Sequence, residues 1–428
     1  MKNKPDPLKI LLANYRYHVS GGSERYFFGV KKLLEERGHQ VVPFSVAHPR
    51  NEPSSYSSYF LSPLTKNPDA LYYREIEKHP RNIVRLFGRT FYSFEARRNV
   101  ERLLKNHPVD IAYVLHFLRW ISPSLIDALH AHRIPVVTRL SDFAFLCPEV
   151  HFLRNGRICE LCAGGNLWHS VRYRCVQSSF PISLLNAFSV FFHRSIGILD
   201  SIDAIVCPSR FLYNKMAQAG FSMKKLHHIP SFIDQQQFIP ATTPGSYVLY
   251  FGRISREKGV EVLVDAFAKL KSLSSSIRLV IVGFGSKDAM RTIHERILSA
   301  HLSNVQFEGG MSGDALFTTI RNAAFVVVPS ICYENMPQVV LESYAHGKPV
   351  IASNLGSLPE VVDDQVTGCL FQAGNAEDLS EKIASLSADQ QRLRDMGEAA
   401  LERVRHNHSP NIHYQTLMDL FSRLREDF

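Results

Sequence analysis

Strand-length segments of six to nine residues, most with a short apolar centre, recur along this chain, bounded by turn residues and separated by stretches of helical periodicity. KILLANYRY (9–17) is the first. Gly21 and Gly22 then turn the chain, a helical pattern runs from Glu24 to about Arg37, Gly38 stops it, and HQVVPFSV (39–46) follows as the next strand. Strand, glycine turn, helix, strand is the opening of a doubly wound α/β sheet. DIAYVL (110–115), IPVVTRL (134–140) and DAIVCPS (203–209) extend it. The same grammar restarts at SYVLYFGR (246–253) and continues through IRLVIVGFG (277–285), VQFEGG (305–310), AFVVVPS (324–330) and KPVIAS (348–353). A chain of 428 residues exceeds one comfortable core. The pattern therefore predicts two Rossmann-like doubly wound domains, 1–235 and 236–405. The turn-rich stretch IPSFIDQQQFIPATTPGS (229–246) joins them, and an amphipathic helix within 406–428 is free to pack back on the first domain.

The net charge of +9 is unevenly divided. Residues 1–235 carry 31 Lys and Arg against 18 Asp and Glu, whereas 236–428 carry 18 against 22. A basic half suits nucleic acid, anionic lipid or a phosphorylated substrate, and equally a plain soluble surface. No run of eighteen apolar residues is present, which argues against an integral membrane protein. The front of the chain, MKNKPDPLKILLANYRY, breaks its short apolar stretch at Asn14 and Arg16, unlike a signal sequence, so the expected compartment is the cytoplasm. Two segments are candidates for contact with the inner face of the plasma membrane: RNIVRLFGRTFYSFEARRNVERLLK (81–105), with Arg81, Arg85 and Arg89 at four-residue spacing, and the Phe-rich FPISLLNAFSVFFHR (180–194). Packing of both on the sheet is the plainer alternative. Residues 49–70, rich in Pro, Ser and Asn, read as a long loop.

Ligands of such sheets bind outside the carboxyl ends of the strands. After the first strand, Gly21 and Gly22 feed a helix N-terminus, whose free N–H groups suit phosphate. After 246–253 come Arg253 and Lys258, with Gly259 next; a guanidinium fork and an ammonium there can clamp a diphosphate. The lone Gly283-Phe284-Gly285 says little by itself. After 324–330 comes YENMPQVVLES, where Pro337 fits the first turn of a helix, Asn335 is a candidate cap, and Glu342 shares a helix face with Gln338. Glu334 folds over the helix start, so both carboxylates can address one ligand. A capping acid plus a satisfied core glutamate is the alternative.

The joint pattern resembles the retaining, nucleotide-sugar-dependent glycosyltransferases of the GT-B fold, family 4 type. It comprises the GGSE turn, SDFAFLCP, CPSRF (207–211), IPSFID, FGRISREKG, VIVGFG, and the E-x7-E motif followed by YAHGKPVIASNLGSLPEVV. The resemblance implies two domains facing a cleft. It implies that Arg253 and Lys258 bind the donor diphosphate and neutralise the leaving group, that Glu334 meets the transferred sugar, and that Glu342 holds the ribose. Backbone at Asn335, Met336 and Gln338 would approach the phosphate, and Gly21 and Gly22 would let the N-terminal loop come close. No metal or other cofactor is required on this pattern; the nucleotide-diphosphate sugar is the donor, and the partner is a saccharide or polyprenyl-diphosphate-linked acceptor. Two departures stand out. Ser141 precedes Asp142 where the family often has histidine, leaving His116 as the nearest substitute, and ENMP replaces the commoner Glu-Gly-Phe-Gly, so Pro337 offers no N–H.

Cys147, Cys159, Cys162 and Cys175 are spaced C-x11-C-x2-C-x12-C, which reads as a structural zinc cluster, reduced thiols or disulfides. Similar cysteines occur in a subset of related transferases. Two rival functions remain: a nucleotide-sugar 2-epimerase of the same fold, disfavoured by the E-x7-E motif, and a basic nucleic-acid-binding protein, for which no recognition motif is present.

Overall fold

The structure, a computed structural model, describes residues 6–64, 79–235, 238–241, 243–271 and 277–428. Parts of the expected long loop (65–70), the N-terminal residues 1–5 and positions 236, 237 and 242 of the junction lie outside the described residues.

The first half builds β1 (Lys9–Ala13), β2 (Gln40–Phe44), β3 (Ile111–Val114), β4 (Val136–Arg139), the short antiparallel hairpin β5 (Leu153–Arg154) and β6 (Arg157–Ile158), β7 (Ala204–Cys207) and β8 (Leu226–His228). Six of these form one parallel sheet in the order β2-β1-β3-β4-β7-β8. The second half builds β9 (Tyr247–Phe251), β10 (Arg278–Val282), β11 (Val305–Gly309), β12 (Phe325–Val328), β13 (Val350–Ser353) and β14 (Gly368–Phe371), parallel in the order β11-β10-β9-β12-β13-β14. The second order is that of a Rossmann sheet. Both sheets reverse direction of growth at one place, between β1 and β3 in the first and between β9 and β12 in the second. Those are the two switch points.

The apolar runs are continuous because helices cover both faces: β3, β4, β7, β12 and β13 are buried at every residue. The edges look different. β11 alternates half-buried and exposed residues, and Pro43, which donates no ladder hydrogen bond, sits on edge strand β2. β8, β14 and the β5–β6 hairpin have no counterpart among the expected strands. The segment expected as one basic amphipathic stretch is two helices, Pro80–Thr90 and Phe94–Asn106, because the Ser93 hydroxyl accepts from Ala96 N at 3.1 Å and starts the second. Arg89 is drawn inside, where it donates to Ser62 O and pairs with Glu95 at 3.3 Å.

The closing helix, Pro410–Glu426, packs on the first half: Tyr414, Leu417, Met418, Leu420 and Phe421 share a core with Ile10, Leu12, Phe27 and Val206. A buried polar chain fastens it. His413 Nδ1 donates to Pro230 O at 2.8 Å, leaving Nε2, 3.0 Å from the Tyr26 hydroxyl, as the acceptor; Tyr26 in turn lies 2.8 Å from the Tyr113 hydroxyl. Burial pushes the His413 imidazole down to about 3 and the His228 imidazole down to about 4. Both are neutral in the folded chain, while the unfolded chain takes up protons near pH 6.5, so stability falls as pH drops below that value. His413→Gln is expected to flatten the decline of unfolding free energy between pH 6.5 and 4 by up to about 1.4 kcal/mol per pH unit. Urea melts of both chains across that window measure it.

Candidate functional site

The carboxyl ends of β9 and β12 bring three sequence-singled residues together. Arg253 leaves β9, Lys258 ends the 3₁₀ turn Arg256–Lys258, and Glu334 lies in the loop after β12. Lys258 Nζ stands 2.6 Å from Glu334 Oε1, and the Ser330 hydroxyl donates to the same oxygen at 2.5 Å. Burial pushes the Glu334 carboxyl up, but Lys258 and Ser330 outweigh it and hold it below the usual carboxylate range. Lys258 is likewise held above its usual value, burial being outweighed by Glu334. Glu257 tethers the Arg253 guanidinium at 2.8 Å and accepts from Ser255 at 2.7 Å. Arg253 keeps half its side-chain surface open, at 52% exposure, so it can still reach a ligand.

Backbone contact fixes this corner. Gly259 has φ +67°, and a Cβ there would lie 1.9 Å from Pro329 O. The lone Gly283-Phe284-Gly285 has the same structural reason: a Cβ at Gly283 would meet Gly252 O at 2.0 Å, and one at Gly285 would meet Ile254 O at 2.0 Å. These glycines let the loops after β9, β10 and β12 close together.

Glu342 stands in the second turn of the helix Gln338–Ala345, its side chain 6% exposed. Its Oε1 is 3.2 Å from Arg25 Nε, while Oε2 has no hydrogen-bond partner. Burial, only partly offset by Arg25, pushes its carboxyl up. Arg25 comes from the helix Gly22–Glu36 of the first half, and Gly22 approaches Gln338 so closely that a Cβ would lie 3.3 Å from Gln338 Cγ. Two helix N-termini thus face each other across the cleft, each without a side-chain cap. Their free N–H groups form a site for anionic oxygen. Pro337 is the residue just before this helix rather than inside it.

Asn335 differs from its expected capping role. Its side chain crosses to the first half, Nδ2 donating to Leu140 O at 2.9 Å and Oδ1 accepting from Ser209 at 3.4 Å. Tertiary partners have displaced the local cap, and the Asn335 and Met336 backbone remains beside the helix start. Other cross-cleft contacts were not legible in the sequence: the Tyr333 hydroxyl donates to Glu160 at 2.6 Å, and Glu360 accepts from Arg210 N at 2.8 Å and from Phe211 N. Neither pair is announced by local spacing.

At the first sheet's switch point, His116 Nε2 lies 3.6 Å from Asp142 Oδ2 and Nδ1 lies 3.2 Å from Asn14 Oδ1, with the Tyr15 ring edge-on at 5.6 Å. An imidazole therefore does stand beside Asp142, supplied by the loop after β3 rather than by position 141. The four clustered cysteines do not assemble as a metal centre. All are free thiols, and among the described residues no group of three or more His, Cys, Asp or Glu is arranged to hold an ion. Burial first, then neighbouring thiols and charges, raises Cys147 to about 12 and Cys175 to about 11.

Residues 232–403 match the family model described as Glycosyl transferases group 1, and residues 20–157 match that of Glycosyltransferase Family 4. The chain is similar to a lipopolysaccharide 1,2-N-acetylglucosaminetransferase of Salmonella typhimurium, 29% identical over 53% of this chain and 62% of that protein. It spans about half the length of the curated relatives it matches. Its fold is shared with a sucrose-phosphate synthase from Thermosynechococcus elongatus, TM-score 0.73 at 21% identity over 98% and 100% of the two chains. It is shared also with the Anabaena protein HepE solved with UDP and glucose, TM-score 0.64 at 18% identity over 97% and 99%.

Removing the cation from the Lys258–Glu334 pair leaves a buried carboxylate alone. Lys258→Met is expected to lower unfolding free energy, by less than the roughly 3–5 kcal/mol of a fully buried pair because Lys258 is 26% exposed. Lys258→Met with Glu334→Gln should recover most of it, as read by denaturant midpoints.

Proposed function

Because the chain belongs to the group 1, family 4-type glycosyltransferases of the GT-B fold, we propose that it moves a sugar from a nucleotide-diphosphate donor to a saccharide or polyprenyl-diphosphate-linked acceptor, with retention and without a metal. The observation that carries this reading is the joint placing of Arg253, Lys258 and Glu334 at the switch point of the second sheet. The domain of 236–405 takes the donor and that of 1–235 the acceptor.

Glu342 Oε2 is a buried acceptor without a donor, which two ribose hydroxyls would satisfy. The diphosphate then lies over the two facing helix N-termini, where Gly21, Gly22, Asn335, Met336 and Gln338 offer close backbone. Arg253 and Lys258 meet the charge that grows on the leaving phosphate, the term that dominates such reactions. Their charge does what a divalent ion does in other transferases, so the reaction needs none. Glu334, kept ionised by Lys258, addresses the sugar near its reacting carbon. The acceptor hydroxyl attacks the anomeric carbon on the face the phosphate leaves. The new C–O bond forms as the old one breaks, the electron pair goes to the nucleoside diphosphate, and the acceptor proton passes to its departing oxygen. His116 and Asp142 line the acceptor side. The likeness to a protein solved with UDP and glucose and to a lipopolysaccharide sugar transferase supports a nucleotide-sugar donor and a glycolipid acceptor. A chain acting there works at the cytoplasmic face of a membrane.

A thermal-shift panel of UDP, GDP and single-stranded DNA tests the reading. One nucleotide should stabilise the chain, by about 2.7 kcal/mol at a hundred times its Kd. Glu342→Ala should abolish that shift while leaving the unliganded melting point within a few degrees, and Lys258→Ala should cut transfer by about a hundredfold or more. Stabilisation by DNA alone, or an undiminished shift in Glu342→Ala, overturns it.

A further inference from the structure

Two helices of the first half present one continuous apolar ridge to solvent. In Phe180–Ser195, Phe180, Leu184, Phe188 and Phe191 recur at helical spacing on the exposed side, and in Pro80–Thr90, Val84 and Phe87 do the same; all six are between 42% and 71% exposed. Phe91 joins the two helices. Its ring lies 6.3 Å from Phe87, 5.6 Å from Phe188 and 5.7 Å from Phe192, and His193 Nε2 donates to its carbonyl at 3.0 Å. Monomers rarely leave so much contiguous apolar surface bare.

Within the described segments that carry the ridge, 79–94 and 161–199, every Lys, Arg, Asp or Glu is an arginine. Residues 161–199 hold three arginines and no acid, and residues 79–94 hold three more and no acid. Arg89 is spent on Glu95, but Arg81, Arg172 and Arg174 are exposed and Arg85 is half-buried. Exposed Trp168 and Tyr173 lie in the same acid-free stretch, in and just after the short helix Trp168–Arg172, and rings of this kind favour the headgroup level. A second copy seated on the ridge would bring arginine against arginine. A bilayer with anionic headgroups would bring phosphate.

We propose that this ridge lays the chain on an anionic lipid bilayer, the phenylalanines entering the acyl boundary and the four arginines resting among the headgroup phosphates. The placing holds whichever donor the chain uses. The ridge also leads inward: Ser93 N donates to Ser122 Oγ at 2.9 Å and Ser124 Oγ donates to Ser93 O at 2.8 Å, fixing the turn in which Trp120 stacks on Tyr15 at 5.5 Å, beside His116. If the proposed function holds, a lipid-anchored acceptor travels that route from bilayer to cleft.

Flotation of the whole chain with phosphatidylcholine vesicles, with and without phosphatidylglycerol, tests the surface. The chain should float with the anionic vesicles at low salt and less at moderate salt. Phe188→Ser with Phe191→Ser should weaken binding about tenfold or more at an unchanged melting point, and Arg172→Glu with Arg174→Glu should remove the salt-sensitive part. No flotation of the native chain at low salt, or equal flotation of the phenylalanine variant, overturns the proposal; so does a dimer in sedimentation that the same variant dissolves. The nucleotide thermal shift should be untouched in these variants, so failure here and failure of the transferase reading are told apart.

Discussion

The ion pair between Lys258 and Glu334 is the interaction on which the second half's site is built. A buried pair of this kind contributes little net stability, since desolvation offsets most of the attraction. Its value lies in position. It ties the loop after β9 to the loop after β12 at the point where the sheet changes direction, and Ser330 adds a second donor to the same carboxylate oxygen. The glycines make the approach possible, because any Cβ at 259, 283 or 285 would overlap a carbonyl. A cation and a carboxylate are thereby kept ionised, at a fixed spacing, before any ligand arrives. Preorganised charge is worth more to a reaction than charge that must be gathered.

The motif loop is held from the other side as well. Asn335 reaches Leu140 O, Tyr333 reaches Glu160, and Glu360 caps the helix Arg210–Gln218 of the first half with its carboxylate. Apolar packing joins these polar contacts, the Tyr333 ring lying 4.6 Å from Phe211, 5.8 Å from Phe152 and 6.2 Å from Phe143. The backbone of the first half therefore helps set the position of the loop that carries Glu334.

Much of this was legible beforehand. Continuous apolar runs gave the strands because parallel strands covered on both faces need no alternation, and Arg253, Lys258, Glu334 and Glu342 stood out because charged residues at strand ends or in apolar helices break the local pattern. What escaped depended on partners far along the chain. Asn335 reads as a cap until Leu140, 195 residues away, is brought to it. Arg89 reads as one of a basic row until the chain breaks at Ser93 and Glu95 turns toward it. Arg25 opposite Glu342 left no trace, since nothing near either residue in sequence refers to the other.

Glu342 shows why such departures gather at the cleft. Its Oε2 is buried and unsatisfied, and Arg25 Nε beside it makes no well-formed hydrogen bond. A buried polar atom left in that state costs about 1–3 kcal/mol. An ordinary helix interior would place leucine there, next to Val340, Leu341 and Tyr344, and the core would gain. The carboxylate persists in the one place where the two halves and two helix N-termini converge. The strain is local, and a ligand bearing hydroxyl donors on one side and anionic oxygens on the other would relieve it at both ends. An unpartnered carboxylate oxygen and free helix N–H groups thus stand together at a single helix end, and the proposed nucleotide site rests on that pairing.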